Sequence, residues 1–373
     1  MGNVKKKIAL FSTSRAEFGL VNNLYCELKK KEFKVFLFVG GAHLSKTYGN
    51  TISEIKNSKI KIDDFFYYAP KKNDHISISK SIGISNIELA KIFNKHNFDN
   101  IIAFGDRFDL IPIITNGLIY NKKIIHISGG EKTIGAIDNK IRNMVSKSSA
   151  IHFTSCNQYT NNLVKLGVKK KVIFNVGTLS FDKNFILNQT KNEIIKKYKL
   201  NKDIPIVSFT YHPTEVEDNI KIEKKLNQIF KALNMFKLNL IINSPNLEVN
   251  SNKVVKILKK KVRQNKHYRF FKSLGFKNYH NLLKHSDFII GNSSSGIIEA
   301  PYYKTPSINI GNRQKGRIRH QSIVDVNYDY EKIILSIKKV MSLKFKLKIK
   351  NLRYKFGNGN TSQKIVKILN NIL

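Results

Sequence analysis

The chain has 373 residues, of which 41% are hydrophobic, and 66 Lys and Arg against 26 Asp and Glu give it a formal charge of +40. That length exceeds one ordinary core and predicts two domains, while the apolar fraction suffices for globular packing. Two cysteines, Cys26 and Cys156, at no metal or redox spacing argue against a disulfide framework and for a reducing, cytoplasmic setting, and no apolar run approaches the length of a membrane span.

A charge of +40 would draw phosphates, nucleic acid or acidic membrane surfaces. Here the basic residues are mostly Lys, spread from end to end among abundant Asn and Ile. No Arg-rich or aromatic-interleaved motif appears, so the charge reads as coding bias rather than as a nucleic-acid or membrane patch.

In chain order, Lys5–Ser12 superficially resembles a secretory leader but is too short, with Ser14-Arg-Ala-Glu17 following at once. Lys7–Phe11 reads as a first buried strand. Leu20, Val21, Leu24, Tyr25 and Leu28 give the next segment a helical apolar face, and 33–39 is a second strand. The loop Gly40–Ser45 puts His43 at that strand's carboxyl end. Ile84–Phe93 is helical, Asn100–Phe104 a strand, Leu110–Ile119 a helix and Lys123–Ile127 a strand. Ile151–Thr154 and Lys171–Asn175 are short strands with a helix over Tyr159–Leu166 separating them. After a Lys/Asn-rich stretch the alternation restarts at 204–209, and 238–242, 267–271, 287–290 and Ser307–Ile310 follow as further strands.

This alternation predicts an α/β fold of two Rossmann-like domains facing each other across a cleft. Residues 1–180 form the first and 181–355 the second. The tail 356–373, apolar at helical spacing from Ile365, packs back towards the first.

Ligands of open α/β sheets sit at strand carboxyl ends, and three carboxylates fall there: Asp106 in Gly105-Asp-Arg-Phe-Asp109, and Glu131 and Asp138 in the loop 128–138. Three acids on neighbouring loops suggest acid/base chemistry on a small polar molecule. The structural alternative has Asp138 capping a helix and Asp106 and Glu131 pairing with nearby Arg and Lys.

Three more loops suit a phosphorylated ligand. Thr13-Ser-Arg-Ala-Glu17 offers Arg15 and backbone N–H groups but lacks Gly-x-Gly-x-x-Gly, which argues against a nicotinamide cofactor. Gly291-Asn-Ser-Ser-Ser-Gly296 predicts a helix starting near Ser293, its free N–H groups aimed at a pyrophosphate and Glu299 lying one to two turns on to meet a ribose. A Ser-rich loop before a helix is also an ordinary N-cap. Tyr211-His-Pro-Thr-Glu215 puts His212 at a strand end.

Arg15 in its Ser-Arg-Ala-Glu, Gly40–Ser45, Gly105-Asp-Arg, Gly129-Gly-Glu131 with Gly135-Ala-Ile-Asp138, His212-Pro, Gly291–Gly296 with Glu299, and Asn309–Arg317 together resemble the hydrolysing UDP-N-acetylglucosamine 2-epimerases of bacterial sialic-acid synthesis. The resemblance runs over residues 5–330. It implies a fold like the two-domain GT-B glycosyltransferases. The implied reaction takes UDP-N-acetylglucosamine and water to N-acetylmannosamine and UDP through a 2-acetamidoglucal, with no cofactor and no metal.

By motif match Asp106, Glu131 and Asp138 would be the catalytic acids. Arg15, His43, His212, Ser293, Ser294, Ser295 and Gly296 would line the substrate site, Glu299 would meet the ribose, and the Arg313–Arg317 loop would close over the ligand. The implied partners are the UDP-sugar and copies of the chain in a homodimer or homotetramer. Relatives of the same kind act on a 2,4-diacetamido-2,4,6-trideoxy sugar for legionaminic acid. A GT-B glycosyltransferase is the remoter alternative.

Overall fold

Strands covered by helices on both faces must be apolar on both faces, and the strand segments of this chain are. In Lys7–Ser12 every residue after the first is buried, and in Ile206–Thr210 all five are. The computed structural model describes residues 6–31, 33–45, 51–58, 60–70, 72, 74–134, 137–182, 187–214, 219–246 and 248–373, with the side chains of Arg15, Ala16, Asn219 and Ile220 outside that description.

The chain forms two units, one of residues 1–132, 137–185 and 356–373, the other of 133–136 and 186–355. The first holds strands β1 (Lys7–Ser12), β2 (Lys34–Gly40), β3 (Asp64–Phe66), β4 (Asn100–Phe104), β5 (Lys123–Ile127), β6 (Ile151–Thr154) and β7 (Ile173–Asn175). They make one parallel sheet in the order β3-β2-β1-β4-β5-β6-β7. The second holds β8 (Ile206–Thr210), β9 (Asn239–Asn243), β10 (Tyr268–Phe271), β11 (Phe288–Gly291), β12 (Ser307–Ile310) and β13 (Ile323–Val326), parallel in the order β10-β9-β8-β11-β12-β13. Both are α/β sheets of the doubly wound kind, and in each the strand order reverses beside the unit's first strand, β1 next to β4 and β8 next to β11.

Successive strand residues face opposite ways. In the first unit Ile8, Leu10, Leu37, Val39, Ile102 and Phe104 pack on one side, and Ala9, Phe11, Phe36, Phe38 and Ile101 on the other. Each such large side chain withdrawn from water contributes about 2 kcal/mol.

The edge strands β3 and β13 are absent from the sequence reading. β3 has three residues, and its Asp64 carboxylate binds Lys95 Nζ at 2.8 Å and His96 Nε2 at 3.0 Å. β13 exposes Asp325. Neither carries the continuous apolar run of an inner strand. β8 begins at Ile206 rather than Ile204, because Pro205 has no N–H to give a ladder.

Residues 356–373 rejoin the first unit. The helix Thr361–Ile372 buries Ile365, Val366 and Leu369 in the cluster that holds Val21, Leu24 and Leu28 of the helix Arg15–Lys30. Its free N-terminal N–H groups are satisfied by a residue far away in sequence. Asp182 accepts from Thr361 N at 2.7 Å and Ser362 N at 3.0 Å, and from the Ser362 hydroxyl. Beside it Gly177 and Gly357 press together so closely that a Cβ on Gly357 would lie 2.9 Å from the Gly177 Cα. Among the described residues no helix is long and apolar enough to cross a membrane.

Asp182→Ala removes three charge-assisted bonds and leaves buried donors unpaired, which predicts a loss of about 2 kcal/mol. Urea unfolding should show a lower midpoint at an unchanged slope.

Candidate active site

The loops leaving β4 and β5 carry the candidate acids, and each is shaped by a glycine. Gly105 turns the chain at φ +74°. Its carbonyl accepts from His126 Nε2 of β5 at 2.8 Å, while His126 Nδ1 lies 3.0 Å from Ser146 Oγ. Burial draws the His126 pKa down to about 4, so the ring is neutral; with Nε2 protonated, Nδ1 is left to accept from the serine. Gly130 sits at φ +79°, where a Cβ would stand 2.1 Å from the Tyr159 carbonyl oxygen. Asn162 Nδ2 ties down the Gly130 carbonyl at 2.8 Å.

Asp106 and Glu131, on those two loops, are brought together by a residue absent from the sequence reading. Arg142 is 1% exposed. One of its terminal nitrogens forms an ion pair with the Asp106 carboxylate and the other donates to the Glu131 carbonyl at 2.8 Å. The structural alternative is therefore realised for Asp106: it has an arginine partner. The Glu131 side chain is buried, and Asp138 is half-buried as the first residue of the helix Asp138–Lys147, where the helix dipole favours a carboxylate. Arg142 follows Asp138 by four residues, which places both on one helical face.

His43, expected as a ligand contact, is instead an interior residue. It is 0% exposed, with Nε2 2.9 Å from Ser12 Oγ and Nδ1 2.7 Å from Thr51 Oγ1. Burial lowers its pKa to about 4. Both nitrogens are engaged within the protein, and the ring holds the β2 loop against β1. The Arg15 side chain lies outside the described residues.

In the second unit the loop after β11 rests directly on β8. A Cβ on Gly291, at φ +143°, would lie 2.0 Å from the Thr210 carbonyl oxygen. The next residue, Asn292, clamps the backbone of His212, accepting from its N–H and donating to its carbonyl at 2.7 Å each. The Asn292 carbonyl accepts from Gln314 Nε2 at 2.9 Å and lies 3.4 Å from an Arg313 terminal nitrogen. Glu248, in the loop after β9, completes the group, its carboxylate 3.2 Å from both His212 Nδ1 and an Arg313 terminal nitrogen. His212 and Arg313 are thus held in one network.

The expected helix at Ser293 is not there. A single 3₁₀ turn spans Ser294–Gly296, and the α-helix is the four-residue piece Glu299–Tyr302. Pro301 has no N–H for the Ile297 carbonyl, so a ladder begun at Ser293 breaks there. Glu299 therefore opens the short helix instead of lying one to two turns into a longer one. The N-cap reading holds in miniature: Ser293 Oγ accepts from Ser295 N at 3.4 Å, and Ser295 Oγ meets Tyr279 at 2.5 Å. A Cβ on Gly296 would lie 2.6 Å from Ser307 Oγ. Arg317 lines a surface cavity of about 710 Å³ together with Lys315, Arg319, Asp325 and Lys332.

Arg142 and Glu248, which hold the site loops, are missing from the sequence reading, and Asn292 and Gln314 stand in its motifs Gly291–Gly296 and Asn309–Arg317 without a role. One signal was present. In a chain whose basic residues are mostly Lys, an arginine marks a place where the guanidinium fork is needed.

Residues 26–370 match the family model described as UDP-N-acetylglucosamine 2-epimerase. The GDP/UDP-N,N'-diacetylbacillosamine 2-epimerase (hydrolyzing) of Campylobacter jejuni is 36% identical over 86% of this chain and 84% of its own. A polysialic acid biosynthesis protein of Escherichia coli, P7, is 32% identical over 89% and 85%. In structure the chain is similar to the Neisseria meningitidis UDP-GlcNAc 2-epimerase bound to UDP-GlcNAc, with TM-score 0.83 at 16% identity over 98% of this chain and all of that one; that likeness bears on the fold, which is GT-B-like.

Arg142→Met leaves the Asp106 carboxylate and the Glu131 carbonyl without their shared donor, and a loss of about 3 kcal/mol is expected. Arg142→Lys, which keeps the charge but not the fork, should fall midway. Chemical denaturation of the three proteins checks the order.

Proposed function

Because the chain belongs to the UDP-N-acetylglucosamine 2-epimerase family, we propose that it is a hydrolysing 2-epimerase: UDP-N-acetylglucosamine and water give N-acetylmannosamine and UDP, for nonulosonic (sialic) acid synthesis. The observation that carries this reading is the pairing of Asp106 with Glu131 through Arg142, beside Asp138 on the same helix.

The chemistry needs such a group. The proton on C2 of the sugar has no carbonyl beside it to acidify it, so a positioned carboxylate must take it while the C1–O bond breaks and UDP departs with the electron pair. The product of that step is a 2-acetamidoglucal. Water then adds its hydroxyl to C1, and a proton returns to C2 from the opposite face, which inverts that carbon. Glu131 and Asp138 serve as the acid/base pair, and Asp106, oriented by Arg142, supports the elimination. Arg142 also keeps the two acid-bearing loops at fixed spacing, the kind of preorganisation on which proton transfer depends.

In the second unit His212, Ser294 and Ser295 meet the diphosphate, and Glu299 meets the ribose. With only one 3₁₀ turn after Ser293, the helix dipole contributes little, and stabilisation of the leaving diphosphate falls to His212, Arg313 and loop N–H groups. A reducing, cytoplasmic setting suits a chain whose two cysteines stand at no metal or redox spacing. A second reading, the same hydrolysis on UDP-N,N'-diacetylbacillosamine, is favoured by the 36% identity to the Campylobacter jejuni enzyme of that name.

Proton NMR of the protein with UDP-N-acetylglucosamine in D2O should show free UDP and N-acetylmannosamine deuterated at C2. UDP-N-acetylmannosamine in its place would sink the hydrolysing reading, and turnover of only the diacetamido sugar would select the second one. Glu131→Gln and Asp138→Asn should each lower turnover by about two to four decades while UDP affinity stays within a few-fold. Wild-type rates in both would remove these acids from the mechanism.

A further inference from the structure

The turn that carries Asp106 contains a second charged group to which the reaction assigns no work. Arg107 Nε lies 3.0 Å from Asp109 Oδ2 and 3.8 Å from Glu17 Oε1, and the three side chains are only 14%, 6% and 11% exposed. Among the described residues these two carboxylates share this guanidinium, so full ionisation of both would leave negative charge in excess there.

The hydrogen bonds say which carboxylate takes the proton. Asp109 has Arg107 on one oxygen and accepts from the Tyr68 hydroxyl at 2.6 Å on the other. Glu17 Oε2 accepts from Thr13 N at 3.2 Å and Thr13 Oγ1 at 2.9 Å, but its Oε1 is buried with no hydrogen-bond partner. A carboxylate oxygen left dry in this way favours the neutral acid. Burial raises the Glu17 pKa to about 7, with Asp109 adding to the rise and Arg107 and the Thr13 bonds opposing it.

Among the described residues the titratable groups facing Glu17 are Arg107 and Asp109 from the turn after β4 and the Tyr68 phenol after β3. His43, from the loop after β2, stands edge-on to Phe18 at 6.1 Å and is neutral.

We propose that Glu17 is a positioning residue: as the neutral acid it leaves Arg107 to Asp109 and so fixes the turn that presents Asp106, and on ionising it draws Arg107 towards itself and slackens that turn. The consequence for turnover rests on the hydrolysing-epimerase reading, but the consequence for the turn does not. The folded-state value of about 7 lies above the ordinary 4.5, so the folded protein keeps the proton through that interval. Stabilisation present on the acid side is lost as pH rises through 7.

The test uses the full chain and its isosteric variant Glu17→Gln, which can still accept from Thr13 but cannot ionise. Amide hydrogen exchange of a peptide spanning 105–110, corrected for intrinsic rates, should lose protection in the wild type above about pH 7 and stay flat in the variant. The rate profile with UDP-N-acetylglucosamine should fall across the same interval as kcat/KM, roughly tenfold by pH 9, and the variant should lack that limb. Equal profiles in wild type and variant, in exchange and in rate, overturn the proposal. If the wild type turns over no UDP-sugar, the activity reading fails alone, and the exchange comparison decides Glu17: a flattened profile supports the positioning role and an unchanged one removes it.

Discussion

A guanidinium taken out of water must find acceptors for its donors, and Arg142 finds them on two different loops: the Asp106 carboxylate after β4 and the Glu131 carbonyl after β5. The rest of the first unit's site depends on that bridge. The strand ends bring the loops near each other, but loops have few contacts of their own and would otherwise fix neither spacing nor angle. Here a buried charge anchored on the helix Asp138–Lys147 sets the separation, and the same helix supplies Asp138 at its first turn. The second unit solves the equivalent problem with an amide. Asn292 binds the backbone of His212 through both halves of its side chain, and Glu248 joins His212 to Arg313. In each unit a side chain to which the motif match gave no role holds residues to which it gave one.

Much of the fold was legible because parallel strands covered on both faces are written as continuous apolar runs, as in β1, β2, β4 and β5. β3 and β13 were not legible, since an edge strand is short and can carry Asp64 or Asp325 in its ladder. The candidate acids could be singled out because they sit at strand carboxyl ends. Their tether could not, because Arg142 lies inside an amphipathic helix and looks like one more surface charge. Of the 9 arginines among 66 basic residues, Arg107, Arg142, Arg313 and Arg319 pin loops, and rarity was the available clue. Two local readings went astray for identifiable reasons. Pro301 prevents a helix from running on from Ser293, and His43 was judged by its place in the chain although Ser12 and Thr51 are there to occupy both of its nitrogens.

Acids are scarce in this chain, 26 against 66 basic residues, and several of them are withdrawn from the surface. Glu17, Asp109, Glu131 and Asp182 are all buried, each within a hydrogen-bonded or ion-paired environment rather than among the many lysines outside. The lysines largely serve as solvated cover. On the helix Ser251–Arg263, Lys253, Lys256, Lys259 and Lys260 are exposed while Val254 and Leu258 are buried. A composition drifting towards lysine can therefore change the surface field greatly while leaving the interior electrostatics, where screening is weak, to a handful of carboxylates and arginines.

The first unit is assembled from pieces at both extremes of the numbering, with residues 186–355 set in as an insertion. On the ribosome, this means that the unit begun first is finished last, although its whole sheet precedes the second unit in the chain. The helix Thr361–Ile372, its cap on Asp182 and the Gly177–Gly357 contact can form only when the last stretch has emerged, by which time the second unit has had its whole sequence available to fold. The groove on the helix Arg15–Lys30 that receives Ile365, Val366 and Leu369 stays uncovered until then. Nascent chains thus pass through a period with an open apolar surface on the older half, and the step that ends it is the docking of one short helix.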